Sequence, residues 1–244
     1  MTKVVAFIPL RGGGKRARPI NGKDKERAIF AGYPLMAYTI CAAKQSGVFD
    51  SIIAITRSEE HAVIARQYGA AVPWARPEYT VEDNSPDIEW VQWAADKCNS
   101  YYDAFSILRV TSPFRGPDII KTAWHLFHNR VGADSLRMVR PVTEHPGKMW
   151  IEQNRLLLPL LPMETDGVPW HSSSTQSLFK VYVQTAGMEF AYFNTVERTN
   201  SIAGSVIVPY ISDYWTGFDI NTREEWFRAE RAAREGIAKL PEVK

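Results

Sequence analysis

Cysteine is almost missing from this chain. Two residues, Cys41 and Cys98, stand among 244, each between apolar neighbours in a stretch that reads as helix. So few exclude a disulfide framework, and without a histidine pattern nearby they exclude a zinc site, so buried free thiols are expected. Long apolar runs are also missing. No stretch approaches the roughly 18 residues that span a bilayer, and "MTKVVAFIPL" is too short for a secretory leader and reads better as a first strand. Neither sign of charge dominates: 29 basic residues face 27 acidic ones, a net charge of +2. That balance excludes a nucleic-acid coat and a membrane-surface protein, so any anion site has to be local. Repeats, heptads and low-complexity tails are lacking too. The expectation is a soluble, cytoplasmic protein with no nucleic-acid or membrane partner.

What is present is apolar residue in quantity, 45% of the chain, arranged in alternating strand and helix patterns. "VVAFIP" (4–9) and "SIIAIT" (51–56) are continuous apolar runs, the signature of strands covered on both faces. Between them "PLMAYTICAAKQSG" (34–47) opens on proline and closes on glycine, as helices do. "SEEHAVIARQYG" (58–69) reads as a helix with a capping serine and acids in its first turn. "AAVPWA" (70–75) reads as a short strand or extended segment, and "SPDIEWVQWAADKC" (85–98) as a helix capped by Ser85. "AFSILRV" (104–110), "GPDIIKTAWHLFH" (116–128) and "ADSLRMVRPV" (133–142) continue the alternation. "MEFAYFN" (188–194) and "GSVIVPY" (204–210) return as strands. A helix over 222–240 closes the chain, with Thr222 and Glu225 at capping-box positions. Such units predict a three-layer α/β fold around a mostly parallel sheet, one domain over 1–244. Residues 144–190, rich in proline, serine and turn formers at their start, read as an inserted arm with a hairpin.

In parallel sheets of this kind ligands bind beyond the carboxyl ends of the strands. At the first such end stands "LRGGGK": Leu10, Arg11, Gly12, Gly13, Gly14 and Lys15. Bare backbone can approach a ligand and aim successive N–H groups at an anion, and two cations flank it. The spacing is neither that of a Walker A loop nor that of a dinucleotide fingerprint; a solvated basic loop is the plain alternative. Later strand ends offer "ARPEYTVEDNSPDI" (75–88), "LRVTSPFR" (108–115) and "GFDINT" (217–222). Taken singly, each is as readily a turn or a cap. His125 and His128, three apart, lack a third ligand and fit an amphipathic helix better. "HSSST" (171–175) has no nucleophile elbow.

The ordered set "IPLRGGGK", "ARPEYTVEDNSPDI", "LRVTSPFR", "EHPGK", "DINTREEWFRAE" resembles the cytidylyltransferase family of bacterial CMP-sialic acid synthetases. That family carries I-P-A-R-G-G-S-K, R-P, L-Q-P-T-S-P-L-R, H-P-x-K and D-I-D-T-x-x-D segments in this order. The resemblance implies a Rossmann-like nucleotidyltransferase fold, with an arm that forms a homodimer. It implies transfer of CMP from CTP to a nonulosonic sugar acid with release of pyrophosphate, assisted by Mg²⁺ or Mn²⁺. Carried over by position, Leu10, Arg11, Gly12, Gly13, Gly14, Lys15, Arg76 and Asp87 bind the nucleotide. Arg109, Thr111, Ser112 and Lys148 face the sugar, and Asp219 with Asn221 holds the metal. Arg11, Lys15, Lys25 and Asp219 are the expected catalytic set. Some positions depart from the pattern. Asn221 replaces an acid, Arg109 a glutamine and Glu26 an asparagine, and Arg57 stands where the family has aspartate. Arg109 adds a fixed cation suited to a carboxylate. These departures point toward a legionaminic- or pseudaminic-type sugar. A Kdo-type enzyme, another nucleotide, or a degenerate binding subunit are the alternatives.

Overall fold

A six-residue apolar run has no polar face to offer water, so it needs cover on both sides. A computed structural model describes residues 2–11, 23–82 and 84–244. In chain order its elements are β1 (Val4–Pro9), β2 (Ile29–Phe30), β3 (Tyr33–Pro34), α1 (Leu35–Ser46), β4 (Ser51–Ile55), α2 (Glu59–Gln67), α3 (Asp87–Cys98), β5 (Ala104–Ile107), α4 (Pro117–His128), β6 (Ser135–Pro141), β7 (Trp150–Gln153), β8 (Leu156–Pro159), β9 (Glu164–Thr165), β10 (Val168–Pro169), β11 (Tyr182–Tyr192), α5 (Phe193–Thr199), β12 (Ile207–Ile211) and α6 (Arg223–Arg234).

Six strands form the central sheet in the order β12-β6-β11-β5-β1-β4. β1 runs parallel to β4 and β5, and β12 parallel to β6. Only β11 is reversed, antiparallel to both β5 and β6. The mostly parallel three-layer α/β fold is therefore present. Alternate β1 residues serve opposite layers. Val4, Ala6 and Ile8 pack with Met36, Ile40, Ile120 and Phe127 of α1 and α4, while Val5 and Phe7 pack with Trp90 and Val91 of α3 and Phe193 of α5. A third cluster joins Phe30 and Phe114 to Trp226, so α6 docks by its aromatic face, edge-on to Phe30 at 5.1 Å. Both cysteines are buried and free.

The route of the chain places the site. From β1 it passes through α1 to β4 on one flank, then through α3 to β5 on the other. The crevice where that direction reverses lies outside the carboxyl ends of β1 and β5, where ligands of doubly wound sheets bind.

Several boundaries differ from those the sequence predicts. Residues 70–75 make only isolated parallel bridges, Ile53 with Ala71 and Thr56 with Ala75. Ser85 does not cap α3. Its hydroxyl donates to the Tyr79 carbonyl, and Pro86 holds the cap position. β5 ends at Ile107, although the Leu108 N–H still reaches the Phe7 carbonyl at 2.9 Å. β11 begins at Tyr182, within the range read as arm, and Phe193 already starts α5. α6 stops at Arg234 because Gly236 turns left-handed at φ 71°. The Thr222–Glu225 capping box is formed on both sides.

Candidate active site

β1 delivers the first group. The Leu10 N–H donates to the Ile55 carbonyl at 3.0 Å and its side chain is fully buried, so Leu10 is a core residue that fixes where Arg11 emerges. The Arg11 guanidinium donates to the Ser85 carbonyl at 3.2 Å. From the far end of the chain, Ile220 donates its N–H to the Thr111 carbonyl at 2.9 Å, which fastens the loop before α6 to the segment after β5. The Ile220 carbonyl in turn accepts from Lys25 Nζ at 2.9 Å. Arg11, Lys25, Arg76, Asp87, Arg109, Thr111, Asp219 and Asn221 line one cavity of about 340 Å³, together with Pro9, Glu26, Val110 and Ala186. A larger cavity of about 670 Å³ lies by the start of α4 and the C-terminal segment, lined by Phe114, Tyr214, Trp215 and Leu240 among others. It holds none of the expected residues.

The smaller cavity is electrostatically unfinished. Arg76 is buried, lies 5.5 Å over the Trp90 ring, and donates through Nε and Nη2 to the Thr80 hydroxyl and carbonyl. Among the described residues its Nη1 is buried without a partner. Burial, then the neighbouring Arg11 charge, pushes its pKa down to about 10, so it stays charged at neutral pH. Asp219 accepts from the Asn221 amide at Oδ2 (2.6 Å), while its Oδ1 is buried with no partner among the described residues. Buried polar groups normally find partners, and one that lacks them points to an absent ion or ligand. One cavity thus holds an orphaned cationic donor and an orphaned carboxylate oxygen. A metal ion beside an anionic group would satisfy both, and Asp219 with the Asn221 carbonyl oxygen is an oxygen donor set of the kind magnesium accepts.

Arg109 is not the free cation that the sequence suggests. Its two terminal nitrogens pair with Asp87 and Glu189, and Glu189 also pairs with Arg137. Burial works to raise the Asp87 carboxyl. The Arg109 charge and hydrogen bonds from Trp90 and Arg109 outweigh it, so the carboxyl lies below its usual range. Buried Arg115, whose pKa is pushed down by burial and by Arg109, props the same region through the Gly187 carbonyl and the Thr39 hydroxyl.

Sequence reasoning missed Glu189 and Arg137. The available signal was a charged residue at a buried position of an otherwise apolar strand. Two expected sugar-facing residues are not brought to this cavity. Lys148 donates to the His171 and Ser173 carbonyls within the arm. Ser112 is buried and its hydroxyl has no partner. Gly12, Gly13, Gly14 and Lys15 lie outside the described residues. Arg57 pairs with Glu78 at 2.8 Å, both exposed. His128 stacks on Trp124 along α4. His145 caps the next turn by accepting the Gly147 N–H, which gives it an arm-shaping place. Among the described residues, one further set of potential ligand atoms is gathered by Asp24, Glu26 and His61.

No family model matches the chain. It is 36% identical over 147 residues to the CMP-N,N'-diacetyllegionaminic acid synthase of Legionella pneumophila, covering 59% of this chain and 60% of that protein. It is 37% identical over 126 residues to the N-acylneuraminate cytidylyltransferase of Escherichia coli, covering 52% of this chain and 28% of that one. The matched stretch therefore spans three fifths of the first relative and under a third of the second. A solved CMP:2-keto-3-deoxy-manno-octonic acid synthetase complexed with CTP superposes with a TM-score of 0.69 at 12% identity, over 96% of this chain and all of that one. At that identity it shows the shared fold.

Proposed function

We propose that this chain is a cytidylyltransferase of the sialic-acid type, which transfers CMP from CTP to the anomeric hydroxyl of a nine-carbon sugar acid. The observation that carries the reading is the pair of unsatisfied groups, Arg76 Nη1 and Asp219 Oδ1, in one cavity at the sheet's reversal point. A metal-bound triphosphate supplies what each lacks. In the reaction the sugar's hydroxyl oxygen attacks the α-phosphorus. The bond from that phosphorus to the bridging oxygen breaks, pyrophosphate leaves, and the hydroxyl proton is released.

Arg11 and Arg76 hold the polyphosphate, and Lys25, anchored on the Ile220 carbonyl, adds charge at the leaving side. Asp219 and the Asn221 oxygen would hold the divalent ion, which when bound would neutralise charge developing on the phosphates. Asp87 and Glu189 fix Arg109 in place. Its charge is shared with those two carboxylates, so it stiffens the wall that faces the sugar rather than offering it a free cation. Thr111 lines the same wall. The acceptor class follows the names of the relatives, with legionaminic- and acylneuraminate-type acids the first to try.

We also infer that the arm joins two copies. The hairpin of β7 and β8 exposes apolar side chains on both faces: Leu156 (67%), with Ile151 and Leu158, on one, and Leu157 (62%), with Trp150, on the other. Exposed apolar residues gathered on one hairpin mark an interface.

Incubation with CTP, Mg²⁺ and a pool of nonulosonic acids, read by mass spectrometry, tests the function. The expected product is one CMP-sugar with stoichiometric pyrophosphate. CTP that stays intact across the pool while still binding would make the chain a binding subunit instead. Arg11→Ala should lower kcat/KM about 100-fold or more with an unchanged melting temperature, as loss of one transition-state donor does. A near-normal rate would remove Arg11 from the site.

A further inference from the structure

Lys25 reaches the cavity from a short turn, residues 23–28. That turn closes on itself, because the Arg27 and Ala28 N–H groups both donate to the Asp24 carbonyl, at 3.2 and 3.0 Å. The turn has to be held against the body of the protein if Lys25 is to keep its place. The turn also meets α2. There His61 is 1% exposed, and its Nε2 lies 3.2 Å from Asp24 Oδ1 and 3.5 Å from Glu26 Oε2. Its ring therefore bridges the two residues that flank Lys25. Asp24 is braced from the other side by Arg27 Nε at 2.7 Å, and Arg27 also pairs with Glu60 of α2.

We propose that His61 is a positioning residue, whose ring clamps Asp24 and Glu26 to α2 and so holds Lys25 on the Ile220 carbonyl in the nucleotide cavity. The inference rests on the function proposed above for its catalytic consequence, but not for the clamp itself.

Charge accounting supports the clamp. Asp24 and Glu26 are two carboxylates facing one buried ring, and Arg27 offsets one of them. A positively charged ring offsets the other. Burial alone would push the imidazole down, but the hydrogen bonds to Asp24 and Glu26, and then their charges, raise it to about 9. The charged groups facing His61 are Asp24 and Glu26, with Arg27 and Glu60 behind them. The same three side chains could be thought to hold a metal. Metal-bound histidines normally keep an outer partner on the second ring nitrogen, and among the described residues His61 Nδ1 has none.

Hydrogen-exchange mass spectrometry of wild type, His61→Leu and His61→Gln tests the clamp without needing substrate. After correction for intrinsic exchange, His61→Leu should speed exchange in residues 23–30 about tenfold while the α1 and α4 peptides stay protected, as a local opening does. The glutamine variant, which retains a donor, should lie between. If His61→Leu does not fold, wild type alone decides: protection of 23–30 should fall above pH 9 while that of α1 persists. In the coupled assay, His61→Leu should lower kcat tenfold or more and leave the CTP Kd, measured by calorimetry, within about threefold. Unchanged exchange in 23–30, or unchanged kcat in a folded variant, overturns the proposal. So does one equivalent of bound divalent metal in wild type that is lost in His61→Leu. If wild type neither binds nor turns over CTP but the exchange result holds, the functional reading fails and the clamp stands.

Discussion

Asp219 Oδ1 and Arg76 Nη1 lack partners among the described residues, which is costly for any buried polar atom. Replacing Asp219 by alanine should therefore stabilise or leave neutral the free protein while lowering magnesium-dependent turnover about 100-fold or more; an unchanged magnesium titration would contradict its role. His61 has the opposite character, since its interactions are made within the chain. Its pKa is raised from about 6.5 to about 9, so the folded state holds a proton that the unfolded state gives up. The stability it contributes is fully present below pH 6.5 and is lost as pH rises through 9, on the order of 1–3 kcal/mol. Chemical denaturation at pH 6, 7.5 and 9 should show that decline, and His61→Leu should flatten it. Residues at strand ends were the readable part of the site: Arg11, Arg76, Asp87, Thr111 and Asp219 stand where turn chemistry follows an apolar run. The engagement of Arg109 was not readable, because its partners lie 22 and 80 residues away. Nothing local signals such pairs.

At the scale of elements, α6 begins immediately after Asp219 and Asn221, so the capping box that starts the helix also anchors the loop. Thr222 accepts the Glu225 N–H at 3.2 Å, and Glu225 Oε2 accepts the Asn221 and Thr222 N–H groups at 2.9 and 2.7 Å. Thr222→Ala should cost about 1 kcal/mol of stability in urea titration and weaken magnesium binding as well. A loss of stability alone would separate the cap from the site. The cap was visible in the sequence from Thr222 and Glu225 alone. The end of the helix was not, since a long amphipathic pattern continues past Arg234 and only the left-handed Gly236 stops it. β11 was mistaken at both ends for a related reason. Its first residues are exposed, as an arm would be, and Phe193 continues an apolar pattern that the backbone abandons for α5.

For the whole molecule, the order of strand and helix units was enough to read the fold, because buried apolar strands alternate with helices along the chain. The arm turns on left-handed Asn154 and Arg155 and on Asp166 and Gly167, and its exposed leucines have no cover within the described residues. Leu157→Glu should halve the mass found by size-exclusion chromatography with light scattering; an unaltered mass would place the contact elsewhere.

β11 joins these scales mechanically. It leaves the arm at Tyr182, breaks register between Gln184 and Glu189, and at that break supplies Ala186 to the cavity wall and the Gly187 carbonyl to Arg115. One strand thus reaches from the end of the arm to the cavity wall. Were the arm to join two copies as proposed, the contact would bear on the same strand whose irregular stretch lines the candidate site.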